Sequence, residues 1–227
     1  MNAEIGQSEP VTPTPSERGL PPIVGLVLVA LVAAHVARIV APIETQLWAV
    51  RTFAVNPLQF DPASGEGFSA PLQPLFQLAG SALLHFNWVH LALNAACLLQ
   101  AGVPVARALG EGRSGGGRFL LLFFGSAIAG SLAYVALNWA SPTEAFGASG
   151  AACGVFGAYF LTDRGDWRRS LADPQIQAGA AVFLGVNVVL VGVLRVFGVL
   201  PIAWEAHLGG FLAGAVLAAL LRPRAEA

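Results

Sequence analysis

Ser149-Gly-Ala-Ala-Cys153-Gly-Val-Phe-Gly157-Ala-Tyr-Phe-Leu-Thr-Asp163 is an apolar run of 15 residues, opened by a serine and carrying glycine at 150, 154 and 157. As a helix it is about 22 Å long at 1.5 Å per residue, against a hydrocarbon core of about 30 Å. If its far end reaches one face of a bilayer, Ser149 lies roughly 8 Å below the other face. Non-helical backbone at that depth must be buried in protein or line a wet cavity. The run therefore predicts a short helix enclosed by longer ones, with small residues that let its neighbours approach closely.

The rest of the chain has the composition such a helix needs. Of 227 residues, 56% are hydrophobic and 11% charged, where an average soluble domain carries roughly 25% charged residues. A net charge of -1 leaves no basic surface for nucleic acid. Cys97 and Cys153, both in apolar stretches, provide neither a disulfide framework nor a Cys-type zinc site. No metal and no organic cofactor is expected.

Apolar runs at 23–40, about 88–103, 118–139, 149–163, 176–196 and 204–221 predict six helices. The fold class is all-α integral membrane, a bundle of six transmembrane helices with a short central fourth. Residues 1–22, rich in proline and with three Glu against one Arg, read as a disordered tail. The membrane domain runs over 23–221, and 222–227 form a second tail. The first run follows an acidic lead, lacks a cleavage pattern and is longer than a signal sequence's apolar core, so it is expected to be retained. Residues 41–74, with five prolines and the aromatics Trp48, Phe53, Phe60 and Phe68, read as a long interfacial loop. Residues 75–86 form an amphipathic approach, and Asn87 is the expected cap of the helix that starts at Trp88.

Every basic residue is arginine. With six spans, Arg18, Arg107, Arg113, Arg118, Arg164, Arg168, Arg169, Arg222 and Arg224 fall on the side of both termini. Arg38, Arg51 and Arg195 fall on the other. Nine against three places both termini in the cytoplasm.

Ionisable residues are costly inside a membrane and are functional candidates by default. The four histidines are His35, His85, His90 and His207. His90 and Asn94 share a face in the first two turns of the second helix. His207 lies near the start of the sixth helix, and Ser149 opens the fourth. With the assigned topology these helices all begin on the non-cytoplasmic side, so the four residues lie at similar depth. A serine hydroxyl becomes a nucleophile when a base within hydrogen-bond reach takes its proton, and the acyl-transfer intermediate needs donors aimed at its oxyanion. Ser149 and His207 suit the first requirement. His90, Asn94 and the N–H groups at the positive end of the fourth helix suit the second. Glu205 is two residues from His207 and off its face, so a dyad is expected instead of a triad.

Each of these residues also has a plainer reading. Ser149 alone is a helix-cap or packing serine, and His90 with Asn94 is a polar pair joining helices. His85 is a water-organising residue at the site mouth or an interfacial anchor. His35 reads as an interhelical or lipid-edge residue, and Asn138 and Asn187 read as structural.

Together, His85-Phe-Asn-Trp-Val-His90-Leu-Ala-Leu-Asn94, Gly147-Ala-Ser149-Gly150 and Ala206-His207-Leu-Gly-Gly210-Phe-Leu-Ala-Gly214 resemble the rhomboid intramembrane serine proteases. The motifs occur in the family's order over about residues 75–221. The resemblance implies Ser149 as nucleophile, His207 as general base, His90 and Asn94 at the oxyanion and His85 as the family's first histidine. It also implies transmembrane protein substrates and a place in a bacterial plasma membrane. Cys153 stands where the family commonly carries an aromatic stacked on the histidine, and Phe156, one turn on, is the candidate replacement. Ala106 stands where bacterial members often have Glu, and the first loop has Trp48 and Arg51 in place of a Trp-Arg pair. The apolar segment 197–201 suits a cap over the site, and movement of that loop or of the fifth helix would admit substrate. An inactive family member that binds transmembrane helices is the alternative. A small transporter would show symmetric half-helices with midplane charges, and the sequence has none.

Overall fold

The computed structural model describes residues 19–162, 167–190, 193, 196 and 202–223. Among them the ordered structure is helical, with a single isolated β-bridge between Val55 and Ala145. Among the described residues four helices are long and apolar enough to cross a membrane: Pro22–Val40, Trp88–Ala108, Gly112–Leu137 and Trp204–Leu221. Exposed Leu26, Val29, Leu121, Leu132, Val216 and Leu220 give them outward faces that hydrocarbon, not water, would solvate. The chain is an all-helical integral membrane protein.

Local chemistry sets the element ends. Helix α1 (Pro22–Val40) begins with proline in its first turn, where a missing N–H costs nothing. It stops before Pro42. Helix α4 (Trp88–Cys97) is capped as its sequence predicts, Asn87 Oδ1 accepting from the His90 N–H at 2.9 Å. A π turn over Leu98–Gly102 then leads into α5 (Val103–Ala108). Pro104 explains the irregularity, because it cannot donate to the carbonyl one turn back and the helix must widen there. Helix α6 (Gly112–Leu137) runs 26 residues, and Asn138 closes it by donating Nδ2 to the Tyr134 carbonyl at 3.0 Å.

Residues 41–74 depart from the expected open loop. Helix α2 (Ile43–Phe53) and a 3-10 turn at Pro57–Phe60 occupy much of the stretch, before α3 (Gln73–Gly80). Pro42 and Pro57 bracket a segment free of glycine and proline. It is rich in good helix formers, a local signal masked when prolines are counted over the whole stretch. Buried Gln77 ties the elements together, donating to Gln59 Oε1 at 2.6 Å and accepting from the Asn56 N–H.

Helix α7 (Ser149–Thr162) is the buried element. Ala151, Ala152, Cys153, Val155 and Ala158 are all inaccessible. It packs on α6, on α4 with its π turn, and above all on α10 (Trp204–Leu221). The α7–α10 approach is backbone to backbone, since a methyl on Gly210 or Gly214 would strike the carbonyl of Gly150 or Gly154. The short helices α8 (Trp167–Ala172) and α9 (Pro174–Gly185) follow α7, and α9 continues into a second π turn at Val186–Leu190. Residues 1–18 of the expected amino-terminal tail, Arg164, Arg195, the expected cap at 197–201 and residues 224–227 lie outside the described residues.

Candidate active site

The segment that delivers Ser149 is held from several sides. Val55 and Ala145 exchange backbone hydrogen bonds of 2.9 and 3.0 Å, so the loop before α3 grips the loop before α7. Tyr134 donates its hydroxyl to the Thr143 carbonyl at 3.0 Å. The Gly147 N–H donates to the Ser81 carbonyl at 3.0 Å. Gly147 has φ +142°, which side chains rarely tolerate, and a Cβ there would enter the His90 ring. The glycine two residues before Ser149 is thus required by its backbone and by its neighbour.

His85 lies beneath this turn, fully buried, with Nε2 accepting the Ala148 N–H at 3.4 Å. Burial, followed by the nearby His90 and His35, pushes its pKa from 6.5 down to about 4. The ring is therefore neutral near pH 7, and an accepting Nε2 leaves its proton on Nδ1. The His85 carbonyl accepts from Arg38 Nη2 at 2.6 Å. His35, read from sequence as an interhelical or lipid-edge residue, is buried with its ring edge-on to Trp88 (4.7 Å) and 6.3 Å from that of His85. Its spacing of three from Arg38, which puts both on one helix face, was the signal for this grouping.

A cavity of about 330 Å³ opens over the start of α7. Val55, Phe86, Leu93, Phe146 and Ala203 contribute apolar wall, and His90, Glu144 and Ser149 bring polar groups. Phe86 and Phe146 stack with centroids 4.2 Å apart. Burial pushes the Glu144 carboxyl up from its ordinary value, with Arg51 opposing. The first backbone bond into α7 runs from the Ala152 N–H to the Ala148 carbonyl at 2.8 Å. The N–H groups of Ser149, Gly150 and Ala151 thus occupy the first turn, where a helix has no carbonyl of its own to offer them. That end of the helix favours negative charge.

The structure gathers His90, Gly147 and Ser149 at this cavity, with His85 behind it on the Ala148 N–H. Asn94, one turn beyond His90, is buried, and its Nδ2 has no partner among the described residues. His207 is buried in the first turn of α10, beside Ala206, which lines the cavity. Its Nε2 has no hydrogen-bond partner among the described residues, so Ser149 and His207 lie on touching helices without being joined by a hydrogen bond. Its Nδ1 meets Asn187 Oδ1 at 2.9 Å, a partner that reading Asn187 as structural missed. Phe156 does not replace the missing aromatic; it stacks on Phe183 at 4.7 Å and 22°, while Cys153 is buried. Asn138 also donates to Glu205 Oε1 at 3.1 Å, joining the end of α6 to the first turn of α10. Among the described residues no three His, Cys, Asp or Glu side chains converge as a metal site would need.

A Rhomboid domain model matches residues 73–224, a stretch that contains His85, His90, Asn94, Ser149 and His207. The rhomboid protease GluP of Bacillus subtilis (strain 168) is 31% identical over 152 residues, covering 64% of this chain and 26% of that protein. The chain thus spans about a quarter of that relative's length.

Proposed function

The chain belongs to the rhomboid family, and on that premise we propose that it is an intramembrane serine endopeptidase that cuts transmembrane segments of other proteins near the outer face. The observation that carries this reading is the position of Ser149. It opens a buried helix, half-exposed to a mostly apolar cavity, and that helix lies backbone to backbone against the one bearing His207.

In this mechanism Nε2 of His207 takes the Ser149 hydroxyl proton as Oγ attacks the scissile carbonyl. The unpartnered Nε2 is an acceptor awaiting that proton, and catalytic hydrogen bonds often close only once substrate is bound. The developing oxyanion faces His90, Asn94 and the first-turn N–H groups of α7. His207 then protonates the leaving amine, and water hydrolyses the acyl-enzyme. His85 holds the Ala148 N–H and so fixes the turn before the nucleophile. A helical substrate must unwind locally before its carbonyl can be attacked, so helix-weakening residues are expected near the cut. Both termini lie in the cytoplasm of a bacterial plasma membrane in this proposal, following the arginine distribution.

The test is cleavage of a transmembrane substrate by protein purified in detergent. Ser149→Ala and His207→Ala abolish cleavage, and wild-type rates from Ser149→Ala overturn the assignment. An inactive, helix-holding family member predicts instead that a fluorophosphonate leaves Ser149 of the wild type unlabelled.

A further inference from the structure

We infer that Asn187 is the positioning residue for His207, completing a Ser149–His207–Asn187 relay in which Asn187 holds the base in the tautomer that nucleophile activation requires. The inference rests on Ser149 and His207 being nucleophile and base. It adds a residue that the dyad reading leaves out.

Two hydrogen bonds and the chemistry of their atoms carry the argument. Asn187 Nδ2 donates to the Phe183 carbonyl at 2.9 Å. A carbonyl can only accept, so the amide's NH2 must face Phe183 and its oxygen must face His207. A reversed amide would set two acceptor oxygens against each other. With Oδ1 at 2.9 Å from His207 Nδ1, and Oδ1 only an acceptor, Nδ1 carries the proton. The neutral ring then has its lone pair on Nε2, the buried atom without a hydrogen-bond partner. Nε2 is therefore the acceptor for the Ser149 proton. The chain of donors, Nδ2 to carbonyl and Nδ1 to Oδ1, has one consistent solution.

The backbone supports the same role. Asn187 sits in the π turn Val186–Leu190 that extends α9, and such turns recur at functional sites in otherwise regular helices. Its partner in α10 is 20 residues away in sequence, so the contact ties α9 to the base. No ring among the described residues stacks on His207, and with Phe156 engaged by Phe183 the Asn187 amide is what orients the imidazole. Asparagine serves this purpose in Cys-His-Asn proteases, where it orients the histidine without becoming charged.

The test replaces Asn187 by Ala and by Leu and measures cleavage of a transmembrane substrate in detergent. Both variants are expected to lose about ten- to hundredfold in kcat, equivalent to about 1.4–2.7 kcal/mol, with KM within about twofold. Protein labelled with 15N-histidine gives a second readout, with the His207 signals assigned by their loss in His207→Ala. Wild type shows a protonated Nδ1 and a bare Nε2, and Asn187→Leu loses that pattern. If Asn187→Leu does not fold, Asn187→Asp, of the same shape and still an acceptor, takes its place. Retention of the Nδ1–H signal in that variant supports the assignment, and loss of it overturns it. Unchanged kcat and an unchanged spectrum in Asn187→Leu, with Ser149→Ala inactive, overturn the role of Asn187 and leave the protease reading intact. A wild type that neither cleaves nor reacts with a fluorophosphonate overturns both.

Discussion

Gly130 on α6 is where one added methyl tests how the site is held. A Cβ built there lies 2.6 Å from the Ala206 carbonyl oxygen and 3.5 Å from Gly150 Cα, while ordinary contact begins at 3.4 Å. In Gly130→Ala the first turn of α10, or α6 itself, must retreat by about 0.8 Å. The obstacle is backbone, so no side chain can swing aside. Overpacking of this kind costs about 1–3 kcal/mol, and the better helix propensity of Ala returns up to about 1 kcal/mol. The net loss, up to about 3 kcal/mol, lowers Tm by up to about 12 °C in a chain of this size. Ala206 adjoins His207, and a displacement near 1 Å can cost up to about a hundredfold in rate, so kcat/KM is expected to fall at least about tenfold. Gly117→Ala is the control, because it lies in the same helix with nothing within 4 Å of the added methyl. It is expected to raise Tm slightly through propensity alone. Thermal unfolding and cleavage of both variants in the same detergent decide the matter. The reasoning is refuted if Gly130→Ala melts as high as Gly117→Ala and cleaves at the wild-type rate.

Two further outcomes follow from the loop that delivers Ser149. His85 has a folded-state pKa near 4 against 6.5 for an ordinary histidine, so the folded protein binds fewer protons than the unfolded chain between those values. The stability it contributes is complete above about pH 6.5 and is lost as pH falls toward 4, by up to about 3 kcal/mol. His85→Gln, which keeps an acceptor for the Ala148 N–H, should flatten the acid side of the stability curve relative to wild type. Parallel curves for the two proteins would remove His85 from the account. Tyr134→Phe deletes the hydroxyl that holds the Thr143 carbonyl and should cost about 1 kcal/mol. Hydrogen exchange of residues 143–147 should speed up in the same variant, and unchanged exchange would mean the tether does not hold the loop.

Much of the architecture was readable because the bilayer imposes simple constraints. Long apolar runs had to be helices, and α1 and α10 follow their runs closely, while α6 starts six residues before its expected run, at Gly112, and the second run continues through a π turn to Ala108. Asn87 was legible as a cap because its signal is local. The segment 41–74 was misread for the opposite reason: its overall proline content suggested a loop, whereas spacing between prolines allowed helix α2. The small faces of α7 and α10 were also legible. Gly150, Gly154, Gly210 and Gly214 suggested close helices, and those residues meet backbone to backbone.

The sequence alone determined that the chain lies in a membrane, which runs are apolar enough to form its helices, and which few polar groups deserve attention, because a polar group in hydrocarbon is too costly to be incidental. It could not determine which of those groups meet. Asn187 and His207 are separated by 20 residues and lie in different elements, and no spacing rule relates an amide in a π turn to an imidazole on another helix. Likewise His85 beneath Ala148, Arg38 on the His85 carbonyl and Val55 against Ala145 depend on helices arriving from distant parts of the chain. Periodicity reports only which face of one helix is apolar. Where two faces touch, and which polar atoms complete each other there, is decided by packing in three dimensions.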